Sequence, residues 1–67
     1  MMRVRIGKRI EDIFRLECVR EIRKSELFGI IVKVMIDGEP IDAYEGEWIC
    51  RHDDGRWSIE EPARPER

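Results

Sequence analysis

Residues 27–36, LFGIIVKVMI, form the most apolar stretch of the chain, with Lys33 its only charge and Gly29 its only gap. Phe28, Ile30, Val32, Val34 and Ile36 fall on alternate positions, which a strand turns to one face. Leu27, Gly29, Ile31, Lys33 and Met35 make a mixed opposite face, suited to partial cover. β-Branched residues dominate, so the pattern predicts a long core strand. Gly29 is where such a strand would bulge or meet a close neighbour. Asp37-Gly38-Glu39-Pro40 ends it with turn residues.

The flanking segments are read against that strand. Residues 2–6 alternate, with Val4 and Ile6 between Arg3 and Arg5, and predict a short edge strand. Residues 9–24, RIEDIFRLECVREIRK, are rich in good helix formers, and Glu11 and Arg15 would pair on a helix. A helix built on Ile10, Phe14 and Cys18, however, brings Glu17 and Glu21 into its apolar face. As a strand, the segment gathers Ile10, Phe14, Leu16, Cys18 and Ile22 on one side, and this reading is preferred. A polar connection over residues 23–26 would then pair Ile22 with Phe28, Cys18 with Val32, Leu16 with Val34 and Phe14 with Ile36.

Residues 41–47 are poorly patterned and predict a connection or a very short strand, closed by a turn at Glu45-Gly46-Glu47. Residues 48–59 predict a hairpin about Asp54-Gly55, a strong two-residue turn signal. That turn pairs Cys50 with Ile59 and His52 with Trp57, and sets Trp48, Cys50, His52, Trp57 and Ile59 on one face. A three-residue Asp53-Asp54-Gly55 loop would instead set Ile49 opposite Ile59 and Arg51 opposite Trp57. The first is preferred because it gathers the large side chains. Residues 60–67, EEPARPER, lack an apolar anchor other than Ala63.

These elements predict one all-β domain over residues 1–61 and a disordered tail over 62–67. The architecture expected is an antiparallel meander of four or five strands curled into an SH3-like or OB-like barrel. The alternative is an α+β fold with a helix near 9–24 packed on a three-stranded sheet.

Composition adds a stability problem. A core in a chain of 67 residues supplies only ~3–5 kcal/mol, so a partner or self-association is expected to help. Asn, Gln and Thr are absent and 42% of residues are charged. That composition fits a thermophilic source, although a high-GC genome accounts equally for ten Arg against three Lys. Arg3, Arg5, Lys8 and Arg9 interrupt the N-terminus where a secretory apolar region would lie. The longest apolar run falls far short of the ~20 residues needed to span a bilayer. A cytoplasmic location and no membrane partner are expected.

Charge is unevenly spread: residues 1–36 carry +4 and residues 37–67 carry −6. The basic half, with Arg3, Arg5, Arg15, Arg20 and Arg23, could contact phosphates, and Tyr44, Trp48 and Trp57 could stack bases. An isoelectric point near 5.4 weighs against nucleic acid, and both tryptophans equally suit a core. The acidic turns of the second half could face a basic partner, or simply keep the domain soluble.

Candidate chemistry is sparse. Cys50-Arg51-His52 and Cys18 do not have the spacing of a zinc knuckle. Cys50 and His52 lack an orienting third group for nucleophilic catalysis. Five scattered glycines form no phosphate cradle. No metal, cofactor, small-molecule substrate or enzymatic activity is expected. The function expected is a small macromolecule-binding module, first a protein-interaction or regulatory domain, with a nucleic-acid-binding barrel as the alternative.

Overall fold

Ile30, Val32 and Val34 are buried on one face of the central strand, as their alternation requires. The computed structural model describes residues 1–7 and 9–61. Its elements are β1 (Met2–Arg5), α1 (Ile10–Phe14), β2 (Val19–Ser25), β3 (Gly29–Ile36), β4 (Glu39–Tyr44), β5 (Trp48–Arg51) and β6 (Trp57–Glu60). The strands form two three-stranded antiparallel sheets, ordered β2-β3-β4 and β1-β5-β6. The described residues are therefore mostly β, with six strands rather than four or five. Among the described residues no barrel closes. Ile30, Val32 and Val34 of β3, Ala43 of β4, Ile49 of β5 and Ile13 of α1 share one core with Ile6, Leu16 and Cys18. The two sheets and the helix thus bury a common interior. The tail expected over 62–67 lies outside the described residues. Among the described residues no helix is long and apolar enough to cross a membrane.

The continuous strand expected over 9–24 is corrected. Residues Ile10–Phe14 form a helix, and only Val19–Ser25 are strand. The helix alternative also overreached, since α1 is five residues long. Ile10, Ile13 and Leu16 are spaced by three, so a helical turn brings them together. Ile13 is fully buried and Leu16 nearly so, whereas Phe14 falls off that stripe and is 61% exposed. A helix this short does not persist by itself; burial of Ile13 holds it. Glu11 and Asp12 in its first turn complement the helix dipole.

The β2–β3 register is corrected too. Ile22 lies opposite Val32, not Phe28, an offset of four positions. An even offset leaves the faces unchanged, so alternation alone does not separate the two registers. The turn decides. Ser25 Oγ accepts hydrogen bonds from the N–H groups of Leu27 and Phe28, each at 3.2 Å, and Gly29 re-enters the sheet at φ 72°. Leu27 and Phe28 are therefore in the turn, 87% and 60% exposed, and β3 begins at Gly29. A register shift between Val19 and Glu21 then carries β2 toward Cys18, whose carbonyl accepts the Met35 N–H at 2.8 Å.

Asp37 and Gly38 have φ of 52° and 80° and form a two-residue turn. β4 follows at once and is six residues long, where little or no strand was expected. It is an edge strand, which is why Pro40 is tolerated within it.

The β5–β6 hairpin adopts the three-residue loop, with Ile49 opposite Ile59 and Arg51 opposite Trp57. This register turns Ile59 and Trp57 to the same face as Ile49, against the core. The two-residue register would have turned them outward. Gly55 takes the left-handed position at φ 89°. The Asp54 carboxylate accepts the Arg56 backbone N–H at 3.1 Å and its Nε at 2.7 Å. Those bonds hold the Asp54 carboxyl below its usual range.

Candidate functional site

β1 is an edge strand, and an open groove of about 1070 Å³ runs along it. The groove lies between β1, the segment carrying α1, and the turn at Glu45-Gly46. Val4 and Leu16 contribute apolar lining, over the fully buried Ile6. Five arginines, Arg3, Arg5, Arg9, Arg15 and Arg51, surround it against two acids, Asp12 and Glu45. Among the described residues Arg5, Arg9, Arg15 and Arg51 form no ion pair; Arg3 lies 3.4 Å from Glu60.

The backbone of β1 contributes as well. The Ile6 N–H bonds the Glu47 carbonyl at 2.9 Å, so Ile6 directs its peptide groups toward β5. Antiparallel pairing alternates, so Val4 and Met2 do the same, opposite Ile49 and Arg51. Arg3 and Arg5 consequently aim their N–H and C=O groups at the open edge.

The expected site residues divide. Arg3, Arg5 and Arg15 meet at the groove. Arg20 and Arg23 are on β2, and Arg23 pairs with Asp42 at 3.4 Å. Tyr44 ends β4 and meets the exposed Phe28 edge-on, with ring centroids 5.8 Å apart. Trp57 packs against the core. Trp48 lies on the opposite face of its sheet, with the Arg3 guanidinium 4.6 Å from its ring centroid. None of the three aromatics lines the groove; Trp48 shares the outer face of the sheet with Arg3 and Arg5, beside the groove. Arg51 was missed because it belongs to the acidic half. It arrives through its pairing with Met2, a contact between residues 49 positions apart.

The outer face of the β1-β5-β6 sheet holds a second polar cluster. Cys50 is shielded from solvent, and its thiol donates to Glu60 Oε2 at 3.1 Å. Burial first, and then this carboxylate, pushes the Cys50 thiol up. His52 Nε2 is 2.8 Å from Ser58 Oγ. The neighbouring cysteine and histidine are thus engaged in separate bonds, and the raised thiol is a weak nucleophile. Cys18, in the core, is likewise pushed up by burial. Among the described residues no three His, Cys, Asp or Glu side chains are grouped so as to hold a metal ion.

No family model, curated protein or solved structure matches the chain. The groove is therefore read from its own chemistry.

Proposed function

We propose that this domain is a non-catalytic interaction module that receives an acidic segment of another protein in the groove along β1. The observation that carries this reading is the ring of five arginines, four of them without an acidic partner among the described residues. Guanidinium groups bind carboxylates through paired, charge-assisted hydrogen bonds. An open, partly apolar groove suits a segment of chain better than an enclosed metabolite. A regulatory role follows naturally, because charge-led binding is fast and reversible.

Nucleic acid is the second reading, favoured by the clustering of Arg3, Arg5, Arg9 and Arg15 from the basic half. It has less support. Single-strand binders add stacking aromatics to a basic channel, whereas none of Tyr44, Trp48 and Trp57 lines this one, and the Trp48 ring is already covered by the Arg3 guanidinium. The small-barrel analogy for such a binder likewise rests on size and strand content alone.

The test is a salt-dependent NMR titration with a glutamate-rich peptide and, separately, short single-stranded DNA and RNA. The expected result is movement of the Arg5, Arg15 and Arg51 resonances with the peptide, fading with salt. Tighter binding of the oligonucleotide would reverse the ranking. Absence of any anion binding would remove the groove reading. Sedimentation at rising protein concentration checks whether the partner is a second copy.

A further inference from the structure

Resting on that reading, we infer that the acidic segment binds as an added β-strand on β1, and that the groove selects acidic residues at alternate positions. The β1 edge offers the means. Arg3 and Arg5 aim both their N–H and C=O groups outward, so an extended chain alongside can complete the β1-β5-β6 sheet. The same two residues put their side chains on one face, because strand positions two apart share a face.

The spacing sets the preference. Arg3 and Arg5 are ~7 Å apart along the strand, and a paired strand repeats its side chains at the same interval. The residue opposite Arg5 therefore meets a guanidinium with no acidic partner among the described residues, and the residue opposite Arg3 competes with Glu60 for a guanidinium that rests over Trp48. The residue between them lies opposite Val4, on the face where Leu16 contributes apolar lining. The segment that fits reads acidic, apolar, acidic.

Two of the other edges are less suited. Pro40 removes a donor from β4, and β2 has an irregular register between Val19 and Glu21. Arginines on β1 discourage neutral or basic strands. That protects the sheet from indiscriminate pairing while admitting a strand of opposite charge.

The test uses four capped peptides of one composition. One alternates glutamate and valine, its isomer blocks them as three glutamates then three valines, and two more alternate with N-methyl groups on either the glutamate or the valine amides. Affinity is followed by fluorescence anisotropy, and exchange of the Arg3 and Arg5 amides by NMR. The alternating peptide is expected to bind roughly tenfold tighter than the blocked isomer, the equivalent of one well-placed charged contact. One of the two N-methylated peptides should lose binding and the other keep it, and the Arg3 and Arg5 amides should gain protection. Arg5→Ala should weaken binding roughly fivefold, within the range of a part-exposed ion pair. Equal binding of the alternating and blocked peptides, still weakened by Arg5→Ala, would overturn strand addition and leave the acidic-segment reading standing. No effect from either N-methylation would do the same. A failure of every peptide to bind, or displacement of all of them by oligothymidylate at lower concentration, would remove both.

Discussion

The Glu45 carboxylate occupies the space that a side chain on Gly29 would need. Its Oε1 lies 2.7 Å from the ideal Cβ position at Gly29, where φ is 72°. The same oxygen accepts the Ile30 N–H at 3.2 Å. Gly29→Ala should therefore cost about 1–2 kcal/mol for the left-handed backbone and about 1 kcal/mol for the displaced hydrogen bond. In a Glu45→Ala background only the backbone cost remains. Urea unfolding of the four proteins measures this coupling; simple additivity would show that Glu45 does not restrict Gly29.

The two ends of the apolar run should respond differently. Leu27 is 87% exposed and Ile30 is 5% exposed. Leu27→Ser should change stability by no more than about 0.5 kcal/mol, and Ile30→Ala should cost about 2–5 kcal/mol. Thermal denaturation separates them, and a large loss from Leu27→Ser would place Leu27 in a packed environment.

Neighbours within α1 offer the same contrast. Ile13 is fully buried and Phe14 is exposed. Ile13→Ala should cost about 2–5 kcal/mol, enough to unfold a domain whose core supplies only ~3–5 kcal/mol. Phe14→Ser should leave the circular dichroism spectrum and melting temperature nearly unchanged. Unfolding caused by Phe14→Ser would instead support a strand running through residue 14.

Thiol ionisation sets a limit at alkaline pH. Burial raises both cysteines above the ordinary value of 9.0, and at Cys50 the Glu60 carboxylate adds to the rise. The folded state thus favours the neutral thiols. Their contribution to stability is fully present below pH 9.0 and declines as pH rises through the higher folded values. Iodoacetamide labelling with peptide mapping should find Cys50 slow near neutral pH and faster in Glu60→Gln. Unchanged labelling would mean that Glu60 does not tune the thiol.

Much of the secondary structure was legible because it is written locally. The alternation of Ile30, Val32 and Val34 identified β3, and Asp37-Gly38 and Gly46 marked turns. The segment over 9–24 misled because its apolar residues satisfy two periods. Ile10, Ile13 and Leu16 fit a helical turn, while Phe14, Leu16 and Cys18 fit a strand. Which set is buried depends on what packs above it. Of the candidate site, Arg3, Arg5 and Arg15 could be named beforehand. Arg51 could not, since only the β1–β5 pairing carries it to the groove.

Taken alone, the order of residues determined a mostly β chain, its central strand and the places where it turns. These follow from side-chain alternation and from the φ values that glycine and aspartate accept, which act within a few positions. Tertiary structure decided the β2–β3 offset, the β5–β6 register, the break between α1 and β2, and the gathering of five arginines beside β1. Each of these depends on which distant surfaces bury one another. Burial is shared among segments brought together only by folding, so no single stretch of sequence contains it.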